Sequence, residues 1–310
     1  EAKVPLICDN TFGMGGYTCK PLSFGCDIIV ESATKWIGGH GTSNGGIIVD
    51  NSSFDWKVTN ADGSLKFPMI AGPQESYHGG VFADHPIFGV AATNTVFILL
   101  ARVKSLRDMG GCISPFNAFQ LIQGVETLSL RCRAHCENAN ALARWLDAHA
   151  AVKRGSVTHP SLAAHPSHAR AAQYFRPGCY GSVFVFELNG EGAEAVERGK
   201  KFISAVEMCA HLANVGDART LVIHSASTTH QQLSPEQQEA VVRSYEQHQR
   251  LTASGSAAQN REPKRLRRGR GEHRSARQER RQERLPAKRA AASAGAQMSP
   301  ASMTNPTSSD

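Results

Sequence analysis

At 310 residues the chain is long enough for two domains, each with a core of its own. Its 41% hydrophobic and 20% charged residues suit a soluble globular protein, and the longest apolar stretch, Val90 to Val103, is broken by Thr93, Asn94, Thr95 and Arg102, short of the roughly 20 apolar residues of a membrane span. The net charge of +7 belongs to the end of the chain, because residues 241–310 carry 15 Lys/Arg against 6 Asp/Glu and the preceding 240 are slightly acidic.

The chain opens on Glu1-Ala-Lys-Val with no Met and no charged-then-apolar leader, so no signal peptide is expected and the N-terminus is expected to continue upstream. Leu6-Ile-Cys8 and Asp27-Ile-Ile-Val30 are short continuous apolar runs, the pattern of buried parallel strands. Between them lies the glycine-rich turn Asn10 to Tyr17. Gly46-Ile-Ile-Val-Asp50 reads as a third strand. Residues 51–86 lack periodicity, yet Phe54, Trp56, Phe67, Tyr77 and Phe82 predict an ordered excursion, packed near a site or simply on itself.

From Ile87 to Ala150 the pattern is helical. Phe88, Ala91, Ala92, Val96, Leu99, Leu100, Val103 and Leu106 recur at three- and four-residue spacing. Gly110-Gly111 ends that helix, Ser114-Pro115 starts a second, and a third runs from about Leu128 to His149. Strands are predicted over Val152–Val157, Gly181–Glu187 and Thr220–His224, with helices over Glu191–Ser204 and from Ser234. The segment with His159, His165 and His168 reads as a solvated surface loop. Beyond about Tyr245 the apolar pattern disappears. The Arg/Glu/Gln-rich and then Ala/Ser-rich tail cannot offset its ordering entropy and is expected to be disordered. Mixed charge and few aromatics argue against a nucleic-acid partner for it.

Eight cysteines without a C-x-x-C pair suit a reducing compartment, and so the cytoplasm. Cys132 and Cys136, one helical turn apart, have no partner at ligand spacing and are expected to be buried thiols rather than metal ligands.

One stretch carries chemistry. In Glu31-Ser-Ala-Thr-Lys35-Trp-Ile-Gly-Gly-His-Gly-Thr42, a lysine follows a strand and precedes a glycine-rich loop, with hydroxyls at Ser32 and Thr34. The earlier strand ends in a carboxylate, Asp9. An amine, a pair of hydroxyls and an acid at strand ends suit pyridoxal phosphate, which needs a lysine Schiff base, a phosphate site and a ring-nitrogen partner. The glycine spacing fits neither a dinucleotide fingerprint nor a P-loop.

At Ser32–Thr42 the sequence resembles the Cys/Met-metabolism family of pyridoxal-phosphate enzymes. Asp9–Phe12, Ser105–Phe119 with Gln123–Leu130, and Ala213–Asp217 with Ser227–Leu233 resemble its O-acetylhomoserine sulfhydrylase branch. The resemblance covers residues 3 to 243. It implies an α/β fold: the C-terminal part of a fold-type I large domain (1–145), an incomplete small α+β domain (146–248) and a disordered basic tail (249–310). It also implies that Lys35 is the Schiff-base lysine and moves the Cα and Cβ protons. Asp9 would hold the pyridine nitrogen, Ser32 and Thr34 the phosphate, and Asn214 would border the substrate carboxylate. The implied reaction is γ-replacement on O-acetylhomoserine by sulfide or a thiol, in a homotetramer of intact family members. A cystathionine γ-synthase or γ-lyase and a non-catalytic remnant are the alternatives. By the same resemblance the family carries some 150 to 200 residues ahead of the equivalent of Glu1, and a substrate-clamping arginine that neither Arg243 nor Arg250 matches.

Overall fold

A computed structural model of the chain describes residues 3–234 and 236–238. The predicted disordered tail lies outside them. Strands β1 (Ile7–Asp9), β2 (Ile28–Ser32) and β3 (Gly46–Asp50) form a sheet in the order β1-β2-β3. β1 and β2 are parallel, with Ile7 opposite Ile28 and Asp9 opposite Val30. A parallel pair needs a crossover, supplied here by residues 10–27 with 3₁₀ turns at Thr11–Gly13 and Pro21–Phe24. β3 is antiparallel to β2, Ile28 facing Asp50 and Ser32 facing Gly46.

The expected burial holds for β2, whose Ile28 and Ile29 are buried, and fails for β1, whose Ile7 is 53% exposed. β1 is an edge strand, so its side chains lack a neighbour on one side.

Residues 51–86 are ordered, with helix α1 (Pro68–Ala71) and a small ladder of β4 (Pro73–Gln74) with β5 (Gly80–Val81). Trp56, Ile70, Phe82 and Ala83 pack with Ile28 and Val96 into one core. Trp56 stacks on Phe97 at 5.6 Å and meets Phe67 edge-on at 5.3 Å. The aromatics of this excursion therefore pack into a core shared with Ile28 of β2 and with Val96 and Phe97.

The first long helix begins later than its periodicity predicts, as α2 (Val96–Leu100), continuing as a π-helical stretch over Ala101–Arg107. Asn94 explains the delay. It holds a left-handed backbone at φ 51°, and its amide donates to the Ser52 and Phe54 carbonyls at 3.1 and 2.7 Å, pinning residues 87–95 as turns. Helix α3 (Pro115–Glu126) starts as expected, with the Ser114 hydroxyl accepting from the Asn117 amide at 3.1 Å. Helix α4 (Leu128–Asp147) follows. On it Cys132 and Cys136 are buried beside Met14, Trp36 and Cys179. Burial pushes the Cys132 thiol up to about 12 and that of Cys136 up to about 11, the state of inert structural thiols. All eight cysteines are free.

Helix α5 (His168–Tyr174) and helix α6 (Gly192–Ala205) follow, with a 3₁₀ turn at Ser225–Ser227 after them. The three strands predicted after residue 150 do not form as ladders. Val152 and Leu188 make one isolated bridge, Ala210 and Leu221 another. The alternation over 183–188 is real as packing, since Phe184 and Phe186 turn toward Val152 and Val157 while Val183 and Val185 stay exposed. The ladder is interrupted because the Glu187 amide donates to the Ser156 hydroxyl, at 3.0 Å, instead of a facing carbonyl. The predicted helix start at Ser234 shows a reciprocal cap: Gln237 N donates to the Ser234 hydroxyl, and the Gln237 side chain accepts from Ser234 N.

The three-histidine segment is solvated only in part: Ala163, Ala164 and Pro166 are exposed and His165 and His168 partly so, and the expectation fails at His159. His159 is fully buried, its Nδ1 2.7 Å from the Ser161 hydroxyl and its ring edge-on to Phe184. No group of three His, Cys, Asp or Glu among the described residues is placed to hold a metal. Burial holds the His159 pKa below the usual histidine value. Unfolding therefore takes up a proton below about pH 6.5. This contribution to stability is present above that pH and lost as pH falls toward the folded-state pKa. Denaturation midpoints measured from pH 8 to pH 5 are expected to fall, and to fall less steeply in His159→Phe. Equal slopes in both proteins would contradict the assignment. No helix among the described residues is long and apolar enough to cross a membrane.

Candidate active site

Because β1 and β2 are parallel, the residues that leave their C-terminal ends emerge side by side. Asp9 closes β1. Its Oδ1 accepts from the Thr11 amide at 2.9 Å, and the Thr11 side chain and amide together hold its carboxyl below the usual aspartate value. The carboxyl group is exposed and anionic. The Thr11 hydroxyl accepts from the Ser32 amide at 2.8 Å, tying the two strand ends together. Beneath them, Asn10 Nδ2 donates to the buried Glu31 Oε1 at 2.7 Å. Burial pushes the Glu31 carboxyl up, against the Asn10 bond that lowers it.

After β2 the chain makes a tight turn, with Lys35 N donating to Ser32 O, Gly38 N to Ala33 O and Gly39 N to Lys35 O. Lys35 is half-buried, and its Nζ donates to Asn214 Oδ1 at 2.9 Å. The two residues lie 179 positions apart in sequence, so the pairing is a product of the fold. The Asn214 segment is seated on the lysine turn by two further contacts. Ala218 N donates to Gly39 O at 2.8 Å, and Gly216, at φ 75°, lies so close that a Cβ would sit 2.5 Å from Trp36 N. Trp36 itself is buried. Asp217 is buried and forked by Arg219, at 3.1 and 3.0 Å, and the Arg219 hydrogen bond holds its carboxyl low.

The two predicted phosphate hydroxyls differ. Thr34 Oγ1 is engaged by the glycine loop, accepting from Gly45 N at 3.1 Å and donating weakly to Gly45 O at 3.4 Å. Ser32 contributes its backbone amide to Thr11, and its hydroxyl has no partner among the described residues. Of the five candidate residues, the fold joins Lys35 directly to Asn214 and links Asp9 to Ser32 through Thr11.

Two residues that grip the lysine turn escape a sequence reading. Arg131, on α4, donates to the carbonyls of Trp36, Ile37 and Gly124 at 2.7, 3.2 and 2.6 Å, and to the Thr127 hydroxyl at 3.0 Å. Gly124 lets α3 approach the same turn: a Cβ there would lie 2.4 Å from Ile37 O and 2.8 Å from Gly38 Cα. A glycine inside an apolar helical pattern costs about 1 kcal/mol against alanine, and that cost was the available signal. Arg131 has no local signature. Gly124→Ala should improve helix propensity yet lower stability by about 1–3 kcal/mol through overpacking, read as a reduced urea midpoint. A raised midpoint would mean that the turn yields freely.

The lysine turn thus follows a parallel strand pair and stands beside a strand that ends in a carboxylate. Residues 1–246 match the family of Cys/Met metabolism PLP-dependent enzymes, and the chain belongs to that family. It is 46% identical over 237 residues to the homocysteine synthase of Schizosaccharomyces pombe (76% of this chain, 51% of the relative). It is 47% identical over 238 residues to O-acetyl-L-homoserine sulfhydrylase 1 of Thermus thermophilus (77% and 52%). The fold is similar, at a TM-score of 0.63 and 32% identity over 76% of this chain and 51% of the other, to a candidate O-acetylhomoserine (thiol)-lyase from Campylobacter jejuni that carries a pyridoxyl-lysine monophosphate. The chain spans about half the length of the curated relatives it matches.

Proposed function

We propose that this chain supplies the lysine-bearing wall of a pyridoxal-phosphate site used for γ-replacement on O-acetylhomoserine, with sulfide or a thiol as nucleophile and homocysteine as the sulfide product. The observation that carries the reading is the half-buried Lys35 amine held by Asn214 at the end of the parallel pair. The residues fit one side of such a cofactor. Asp9 offers an anionic acceptor for a ring nitrogen, Ser32 an uncommitted hydroxyl for a phosphate, and Lys35 an amine whose direction is fixed. Thr34 would reach the phosphate only by giving up its hydrogen bonds to Gly45.

When bound, pyridoxal phosphate supplies the electron sink for charge developing at the substrate Cα. Lys35 Nζ would take the Cα proton, would have to hand it on before acting again, and would then take a Cβ proton as acetate leaves Cγ, one flexible amine being able to reach both carbons. Asp9 would keep a proton on the ring nitrogen. Asn214 orients Lys35 and borders the substrate carboxylate. Residues 1–145 carry the cofactor wall in this reading and residues 146–248 bring Asn214 to it. A homotetramer is part of the same proposal, as is a cytoplasmic setting, which the eight free thiols support.

The test offers O-acetylhomoserine with either sulfide or cysteine, to this chain alone and with the remaining family portion added. Homocysteine from the first mixture is the expected product. Cystathionine from the second alone would transfer the chain to the cystathionine-forming reading, and no product from any mixture would overturn both.

A further inference from the structure

Lys35 takes its direction from Asn214, and an amide can face a lysine with either of its two ends. The oxygen end accepts from the amine, whereas the Nδ2 end would set donor against donor. Oδ1 is the end that faces Lys35, at 2.9 Å, and Nδ2 is turned toward Gly41. The Asp217 carboxylate reaches the same spot. A Cβ on Gly41 would lie 3.3 Å from Asn214 Nδ2 and 3.3 Å from Asp217 Oδ2. Amide nitrogen and carboxylate oxygen therefore flank one small space, which exists because residue 41 has no side chain. Asp217 is buried while the Arg219 side chain is 61% exposed. Arg219 fixes the carboxylate with its backbone amide and Nε on Oδ1, at 2.9 and 3.1 Å, and with Nη2 on Oδ2 at 3.0 Å. A buried charge is costly unless paired, and this pair points its anionic end inward, toward the Asn214 amide.

We propose that Asp217 and Gly41 are positioning residues for Lys35, acting through Asn214. The carboxylate attracts the partial positive charge of Nδ2 and repels Oδ1. Turning the amide over would bring oxygen to carboxylate and NH₂ to amine, two repulsions at once. Gly41 leaves the room in which Nδ2 and the carboxylate face each other. The detour through an amide has a chemical reason. An ammonium cannot act as a base, and a carboxylate touching Lys35 would favour that form. Carried through a neutral amide, the charge sets the direction of the amine without pairing with it. The inference rests on the reading of Lys35 as the working amine of the proposed reaction, and it names what aims that amine.

The full chain, without cofactor, is labelled with trace acetic anhydride, and peptide mapping gives the rate at Lys35 relative to Lys201, exposed on α6. Asn214→Ala removes the acceptor and is expected to raise that ratio about two- to tenfold, the weight of one hydrogen bond. Asp217→Asn and Gly41→Asn should each raise it as well. Asparagine tolerates the left-handed backbone at residue 41, φ 65°, while filling the space beside it. With Asn214→Ala already in place, neither substitution should raise the ratio further. The Asn214 side-chain amide resonances, identified by their loss in Asn214→Ala, should shift in both single variants. A Lys35 ratio unchanged or lowered in both would overturn the proposal, even if melting temperature falls, because Asp217 would then be a structural residue only. So would an equal rise with and without Asn214. If one single variant does not fold, the other decides, since the two approach the amide from different sides. No readout uses pyridoxal phosphate, so a chain that shows this coupling yet yields no homocysteine would remove Lys35 as the working amine and leave its positioning intact.

Discussion

Lys35→Ala is expected to abolish the pyridoxyl label left on this chain by incubation with pyridoxal phosphate and borohydride, and to leave stability almost unchanged. The label is lost because the substitution removes the only amine in the lysine turn, Ser32 to Gly39. Stability is retained because Lys35 is half-buried and its one side-chain hydrogen bond runs to Asn214. Removing such a contact near the surface costs within about 0.5 kcal/mol. In the active assembly the same substitution should lower turnover by about 10²–10⁴-fold, the range for a positioned general base, and by more if covalent attachment also matters. Peptide mapping of the reduced protein decides the point. A label that persists in Lys35→Ala, or that sits on Lys20 or Lys104 in the wild type, would remove Lys35 from its role. Asp9→Asn is a useful companion, expected to keep the label while lowering turnover, because it disturbs the ring-nitrogen partner and leaves the amine in place.

Arg131→Met should be the most destabilising substitution at the site that leaves the candidate cofactor residues untouched. The guanidinium satisfies three backbone carbonyls and a hydroxyl, and methionine retains the packing of the stem while deleting every donor. Hydrogen bonds to a charged group are worth about 1.5–3 kcal/mol. Burial disfavours the charge, since desolvation holds the Arg131 pKa below its ordinary value, and this offsets part of the gain. A net loss of about 2–3 kcal/mol in urea unfolding is the result expected from these opposing terms. Faster amide exchange at Trp36–Gly41 should accompany it. Arg131→Lys should fall between, since an ammonium cannot fork across three carbonyls in different directions. If Arg131→Met unfolds like the wild type, the turn is held by Gly124 and the Asn214 segment instead.

Much of the candidate site was legible because its chemistry is local. Lys35, Ser32 and Thr34 lie within four residues, and Asp9 announces itself as an acid closing an apolar run. The α3 cap at Ser114-Pro115 and the extent of α4 were equally readable, since caps and 3.6-residue periodicity are short-range properties. The strands after residue 150 were misread for a related reason. Alternation records which face is buried, and it did so correctly for Phe184 and Phe186, but a ladder also needs facing backbone groups free to pair. Ser156 takes one of them. His159 was misread because a Pro-flanked histidine says nothing of what folds over it, and Phe184 does so from 25 residues away.

The sequence by itself determined the family, the lysine turn and the short-range signals that start and stop the helices, because each depends on residues within a turn or two of one another. Only the tertiary structure decided how that turn is held. Arg131 reaches it from 95 residues away and Asn214 from 179, and Gly124 allows a backbone contact that no side-chain pattern encodes. The same holds for the exposed edge strand β1. An apolar run reads identically whether its strand is central or at an edge, and what lies beside it is a property of the assembled fold.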